Sequence, residues 1–287
     1  SVFCFMRLQI TAASRLNSVE EYYFSKKLKQ IAALKESGVP IINLGIGSPD
    51  LAPSPETIAA LTESAANPSH HAYQGYQGIP ALREAFASFY ALHYGVTVNP
   101  VSEILPLIGS KEGIMHIAMA YLEKGDVTLI PNPGYPTYSA ACSLAGATVE
   151  SYELSASNGW LPDLVALEKR DLSKVKIMWV NYPHMPTGAQ ATVEFFTELR
   201  DFAIRHSILV VNDNPYSFIL NEKPMSMLSI PGMQEVAIEL NSLSKSHNMA
   251  GWRIGAAFGK AEFLAPVLKF KSNMDSGMFL PLQQAAP

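Results

Sequence analysis

Four residues in this chain carry side chains and neighbours that suit chemistry. Lys245 stands in the run Ser242-Leu243-Ser244-Lys245-Ser246-His247, directly after an apolar β-rich stretch. A lysine at a buried sheet edge, flanked by hydroxyls, is a candidate nucleophilic amine; a lone loop lysine is more commonly just solvated. Asp213 closes the apolar run Ile208-Leu209-Val210-Val211, where a carboxylate is expected to be partly buried and to need a cationic or hydrogen-bonding partner. The competing role is a turn-forming aspartate beside Asn214-Pro215. Arg253, between the glycines of Gly251-Trp252-Arg253-Ile254-Gly255, has the planar fork that grips a phosphate, or else packs on Trp252 at the surface. Gly109-Ser110 opens a helical stretch and forms either an anion cradle or an ordinary serine cap.

The elements that must position these residues alternate along the chain. The pattern predicts strands at Ile104 to Ile108, Val127 to Ile130, Lys176 to Val180, Ile208 to Val211, Val236 to Leu240 and Ile254 to Phe258. Helices are predicted at Pro55 to Ala66, Pro80 to Tyr94, Lys111 to Leu122 and Val193 to His206, the first entered through Ser54 and Pro55. Apolar strands alternating with helices imply an α/β fold with a mostly parallel sheet and helices on both faces. Polar, aromatic and ionisable residues follow strand after strand: Gly109-Ser110-Lys111, Pro131 to Tyr135, Asn181 to His184, Asn212 to Tyr216, and Asn241 to Lys245. In open α/β sheets that carboxyl rim is where ligands bind, so the succession implies one site assembled along a whole sheet edge.

Composition narrows the classes. The chain has 287 residues with 48% hydrophobic and 16% charged, which suits a folded domain with a sizeable core. Its net charge is −4 with no Lys/Arg run, which argues against sequence-independent nucleic-acid binding. Two cysteines, Cys4 and Cys142, exclude a disulfide framework and a cysteine-rich zinc site and fit a reducing, cytoplasmic setting. No apolar run is long enough to span a bilayer. Gly45-Ile46-Gly47 lacks the third glycine of a dinucleotide fingerprint, and His70-His71 reads as a solvated loop, so no metal site is expected.

At the N-terminus, Glu20 to Lys35 reads as an amphipathic helix stopped by Gly38-Val39-Pro40, and Ile41 to Leu44 as a short strand. Ser1 to Phe5 lacks a basic n-region and a cleavage site, and Met6 is read as the natural start. The expected organisation is an N-terminal arm and helix (1–45), a large domain (46–276) and the start of a small domain (277–287).

Taken together, the motifs resemble one family. Ser242-Leu243-Ser244-Lys245 followed by Gly251-Trp252-Arg253-Ile254-Gly255 resembles the S-x-S-K…G-x-R-x-G signature of class I/II aminotransferases, pyridoxal-phosphate (PLP) enzymes of fold type I. Asn181 to Gly188 is similar to the family's N-Y-P-H-N-P-T-G, Asp213 with Tyr216 to its D-x-x-Y, and Tyr73 to Arg83 to its Y…G…L-R segment. Asn43 to Asp50 resembles the N-L-G-x-G-x-P-D entry of the aspartate, alanine and LL-diaminopimelate branches.

The resemblance implies roles residue by residue. Lys245 would hold PLP covalently and shuttle the proton at the substrate Cα. Asp213 would pair with the ring nitrogen, keeping the ring an electron sink. Tyr216 would hydrogen-bond the ring's phenolic oxygen, near Asn181, and Tyr135 would stack on the ring. Gly109, Ser110 and Lys111, with Ser242, Ser244 and Arg253, would hold the phosphate. Tyr73 would reach the neighbouring subunit's cofactor, implying a homodimer, and Gly47 would lie beside the substrate carboxylate.

Two departures from the pattern stand out. Met185 occupies the place of the family's usual asparagine, and a methionine cannot donate the hydrogen bond that asparagine supplies. The chain also ends at Pro287, and no residue matches the family's C-terminal arginine that grips the substrate carboxylate; the expectation is a shortened relative that grips carboxylates poorly. The leading expectation is an aminotransferase acting on an amino acid and a 2-oxo acid. The alternatives are a β-lyase or decarboxylase on the same site, or a PLP-binding remnant with little turnover. A DNA-binding regulator is disfavoured, because the first 40 or so residues carry no helix-turn-helix pattern.

Overall fold

The computed structural model describes residues 10–45 and 47–287, so the reading of Met6 as the start lies outside the described residues. The chain divides into two compact units, Ser1–Ile46 and Gly47–Pro287.

In the first unit a single 3-10 turn at Ser14–Ser18 precedes helix α1 (Tyr23–Glu36). Its run of Lys, Leu, Gln, Ala and Glu consists of strong helix formers. The helix begins three residues later than predicted, at Tyr23 instead of Glu20. The expected strand at Ile41 to Leu44 does not form. A strand exists only through its ladder, and among the described residues no partner pairs with this segment.

The second unit runs α2 (Pro55–Ala66), α3 (Pro80–Tyr94), β1 (Ile104–Leu107), α4 (Ser110–Tyr121), β2 (Val127–Asn132), α5 (Pro136–Ala145), β3 (Thr148–Glu153), α6 (Leu164–Leu167), β4 (Val175–Val180), α7 (Val193–His206), β5 (Leu209–Asp213), β6 (Ala237–Ser242), α8 (Leu243–Ser246), β7 (Gly255–Gly259), α9 (Ala261–Lys271) and α10 (Leu280–Ala285). Local chemistry sets several boundaries. Ser54 accepts from Thr57 N at the head of α2, and Thr192 does the same for Phe195 N at the head of α7. Gly95, with φ at 66°, ends α3 in the left-handed conformation that glycine adopts without strain.

The strands form one seven-stranded sheet in the order β1-β7-β6-β5-β4-β2-β3. β2 pairs in parallel with β3 and β4, and β4 through β6 continue in parallel, while β7 runs antiparallel between β6 and β1. All six predicted strands are present. β3 lies outside the predicted set, because it is an edge strand whose sequence, Thr-Val-Glu-Ser-Tyr-Glu, is mostly polar and buries only Tyr152 fully. An apolar layer covers each face of the sheet. One is built around Met178, Val180, Phe196 and Phe258, the other around Ile117, Ile177, Trp179 and Leu240. Neighbouring β4 residues fall in different layers because side chains alternate across a strand.

Glu239 interrupts this apolar interior. It is wholly buried in β6, where Tyr90 Oη, Ser226 Oγ, Asn212 Nδ2 and Met227 N donate to its carboxyl oxygens at 2.6–3.0 Å. Burial raises its pKa despite these donors. At the far end of the chain, α10 packs on α2, and Ser64 Oγ donates to Gln284 Oε1 at 2.6 Å.

Candidate active site

The sheet's polarity gathers the chemistry-bearing residues on one edge. The parallel strands β2, β4, β5 and β6 all end there, and the antiparallel turn into β7 starts there. The register Leu107↔Gly255↔Ser242 places the end of β1 in the same row. Gly109, Tyr135, Asn181, Asp213, Ser242 and Lys245 therefore leave the sheet from one rim, although they span 137 positions of sequence (245 − 109 + 1).

Asp213 is 6% exposed, so the turn-forming reading gives way to the buried one. Tyr138 Oη donates to its Oδ2 at 3.0 Å. Asn181 Nδ2 reaches its main-chain oxygen at 2.6 Å. Burial pushes the carboxyl up to about 6, against the downward pull of the Tyr138 hydroxyl. The Ser110 hydroxyl lies near enough to draw it down as well, yet neither Ser110 Oγ nor Asp213 Oδ1 completes a hydrogen bond of ordinary geometry. One carboxylate oxygen and one hydroxyl are thus buried without a partner at the strand ends, a cost that a bound polar group would remove.

Lys245 sits in the short helix α8, half-buried, with its amine donating to the Gly47 carbonyl. Burial lowers its pKa, and the Arg253 guanidinium lowers it further. Arg253 adopts a left-handed backbone, φ 58° and ψ 58°. Its Nη1 donates to Ala250 O at 2.8 Å and to Ser244 Oγ at 3.3 Å. Gly109 lies under that guanidinium at φ +89°, and a Cβ there would run into Arg253 Nη2. The guanidinium therefore lies against bare backbone at the entrance to α4. Ser110 is the first residue of that helix, and no side chain caps it, so the plain serine-cap reading is corrected. The freed N–H groups of the first turn are what an anion would take.

The remaining residues divide. Tyr135 lies at the head of α5 and meets Tyr138 edge-on, with ring centroids 5.7 Å apart. Asn181 Oδ1 accepts from Met185 N at 2.8 Å, so the loop after β4 is tied to the same asparagine that holds the Asp213 backbone. Tyr216 follows Asp213 in the loop leaving β5, Ser242 is buried at the end of β6, and Lys111 is the second residue of α4. Tyr73 stands apart, 91% exposed on the loop before α3. Sequence reasoning missed Tyr138. Its signal was its place one helical turn beyond Tyr135, which sets both rings on one face of α5.

A sheet of this order, with one antiparallel strand among parallel ones, is the architecture of fold type I PLP-dependent transferases. The sequence profile of the family described as aminotransferase class I and II matches residues 39–286, and the chain belongs to that family. An LL-diaminopimelate aminotransferase of Dehalococcoides mccartyi is 44% identical over 276 residues, covering 96% of this chain and 71% of the relative. The enzyme of the same name from Moorella thermoacetica is 43% identical over 275 residues, covering 95% and 70%. A solved structure titled substrate-bound BacF, from Bacillus subtilis, superposes with a TM-score of 0.90 at 39% identity, covering 97% of this chain and 71% of that one. The protein is a PLP-dependent aminotransferase, which moves an amino group between an amino acid and a 2-oxo acid. No helix among the described residues is long and apolar enough to cross a membrane.

The residues present fit the cofactor. The unpartnered Asp213 oxygen is an acceptor for a ring N–H, and the unpartnered Ser110 hydroxyl stands at a helix N-terminus suited to a phosphate. Gly109 leaves the room that a side chain would fill.

Proposed function

We propose that this chain takes the amino group from LL-diaminopimelate or a closely similar amino acid and passes it to a 2-oxo acid, using Lys245, Asp213 and Tyr216 as its working groups. The observation that carries the reading is Asp213: a buried carboxylate at the strand ends with one oxygen unsatisfied. The choice of substrate is supported by the names of the relatives at 43–44% identity.

When bound, PLP supplies an electron sink that stabilises negative charge at the substrate Cα. This chain's residues do the rest. Asp213 holds a proton at the ring nitrogen. Lys245, its amine made less basic by burial and by Arg253, would hold the cofactor and move the proton at the substrate Cα. The backbone of Gly109, Ser110 and Lys111, with Ser242, Ser244 and Arg253, holds the phosphate. Tyr135 would cover the ring, and Asn181 and Tyr216 would hold its phenolic oxygen. Gly47 and Met185 border the substrate.

In this reading the enzyme is a cytoplasmic homodimer in which the outlying Tyr73 completes the partner's phosphate site, and its high exposure on one protomer supports that role. The three-part organisation, 1–45, 46–276 and 277–287, belongs to the same proposal. The test is the visible spectrum of the PLP-loaded protein during addition of single amino acids. LL-diaminopimelate should bleach the band more efficiently than aspartate or alanine, and Lys245→Ala should abolish it. A band that no amino acid changes would leave a cofactor-binding remnant. Pyruvate or thiol release without a 2-oxo acid would establish a lyase.

A further inference from the structure

Behind the β1–α4 turn lies a buried ion cluster that the chemistry above does not use. Glu112 is the third residue of α4, and its side chain is 6% exposed. Its Oε2 accepts the main-chain N–H of Ile108, the residue just before Gly109. Its Oε1 accepts from His116 Nε2 at 2.7 Å, one turn along the same helix, and from Lys271 Nζ at 3.0 Å, reaching over from the end of α9. Lys271 is wholly buried and also pairs with Asp275. Burial alone would raise the Glu112 carboxyl, but His116, Lys271 and the Ile108 N–H together bring it below the usual carboxylate range.

The geometry sets two demands against each other. A carboxylate reaching back to a free N–H at a helix start fixes the turn that enters the helix. The same helix start must also receive an anion, and a bare buried carboxylate in that first turn would repel it. Lys271 eases the conflict by placing a wholly buried ammonium on the carboxylate, an ammonium it shares with Asp275. No other lysine among the described residues is fully buried.

We propose that Glu112 is a positioning residue for the phosphate end of the cofactor. It pins the Ile108–Gly109–Ser110 turn through the Ile108 N–H, and the Lys271 ammonium offsets its charge so that the turn still accepts an anion. The proposal rests on the reading of Gly109 to Lys111 as the phosphate cradle. It follows that Glu112 governs the preference for PLP over pyridoxal, which has the same ring and aldehyde but no phosphate, while leaving the ring end of the site alone.

The test is the dissociation constant of each compound, read from the visible band, in two multiple variants of the full chain. Both carry Asp275→Asn as well, because Asp275 shares the Lys271 ammonium, so no member of the cluster is left as an unpaired buried charge. Glu112→Leu with Lys271→Met deletes the acceptor for the Ile108 N–H; PLP affinity should fall about tenfold or more and pyridoxal affinity should stay within about twofold. Glu112→Gln with Lys271→Met keeps an acceptor and should retain the wild-type preference. The proposal is overturned if the leucine variant keeps that preference, if both ligands weaken together in it, or if the glutamine variant is equally impaired. Arg253→Gln tests the underlying site separately. Preference lost there but kept in the leucine variant sinks this inference alone, whereas preference kept in Arg253→Gln sinks the cradle itself.

Discussion

Tyr138, one turn into α5, donates its hydroxyl to Asp213 Oδ2 at 3.0 Å and stacks its ring on Trp179 of β4, with centroids 5.4 Å apart. The aspartate is thus held by a ring that is itself clamped in the core. This rigidity keeps a carboxylate in place where burial penalises its charge.

The raised carboxyl of Asp213 makes cofactor-free stability depend on pH. Its folded value, about 6, lies above the ordinary 3.8, so the folded state binds the proton more tightly. The contribution is fully present below about pH 4 and is lost as pH rises through about 6, amounting to on the order of 2–3 kcal/mol. Asp213→Asn should remove it. In urea unfolding of the cofactor-free chain, the variant should gain on wild type between pH 4 and 7. A constant difference across that range would contradict the assignment.

Gly109→Ala should be costly in two ways. The backbone there has φ +89°, which side chains rarely adopt, and the new Cβ would strike the Arg253 guanidinium. A loss of about 1–3 kcal/mol in unfolding free energy is expected. PLP affinity should fall as well, measured by spectroscopic titration. A variant with wild-type stability and affinity would show that the loop relaxes freely.

Lys245 should react as an unusually weak base. Burial, then Arg253, lowers its pKa. In the cofactor-free chain, the pH profile of Lys245 acylation, followed by peptide mass spectrometry, should have its midpoint below that of surface lysines. Arg253→Gln should move the midpoint upward, because the repelling charge is gone. An unmoved midpoint would leave burial as the whole cause.

Met185→Asn should change the colour chemistry of the loaded protein. The Met185 main chain is held by Asn181, so the substitution alters only the side chain at a fixed position. Asparagine brings an N–H donor that methionine lacks. The pH midpoint of the visible band should fall in the variant, because a donated hydrogen bond stabilises the deprotonated form. A pH titration showing equal midpoints would refute this.

The sequence by itself determined the alternation of strands and helices, down to the boundaries of α2, α3 and α7. Ser54-Pro55, Pro80 with Gly95, and Thr192 are local signals, and local signals survive into the fold. It also determined which residue types sit at the strand ends, because a buried parallel sheet admits polar chemistry only where its strands stop. Tertiary structure alone decided the partners. Tyr138 meets Asp213 across 75 positions of sequence, Lys271 meets Glu112 across 159, and Glu239 gains its donors from three separate segments. It alone decided that the segment at Ile41 to Leu44 is no strand and that Thr148–Glu153 is one, since a strand is defined by the neighbour that pairs with it. The strength of a buried charge likewise depends on what surrounds it in three dimensions, and no spacing along the chain encodes that.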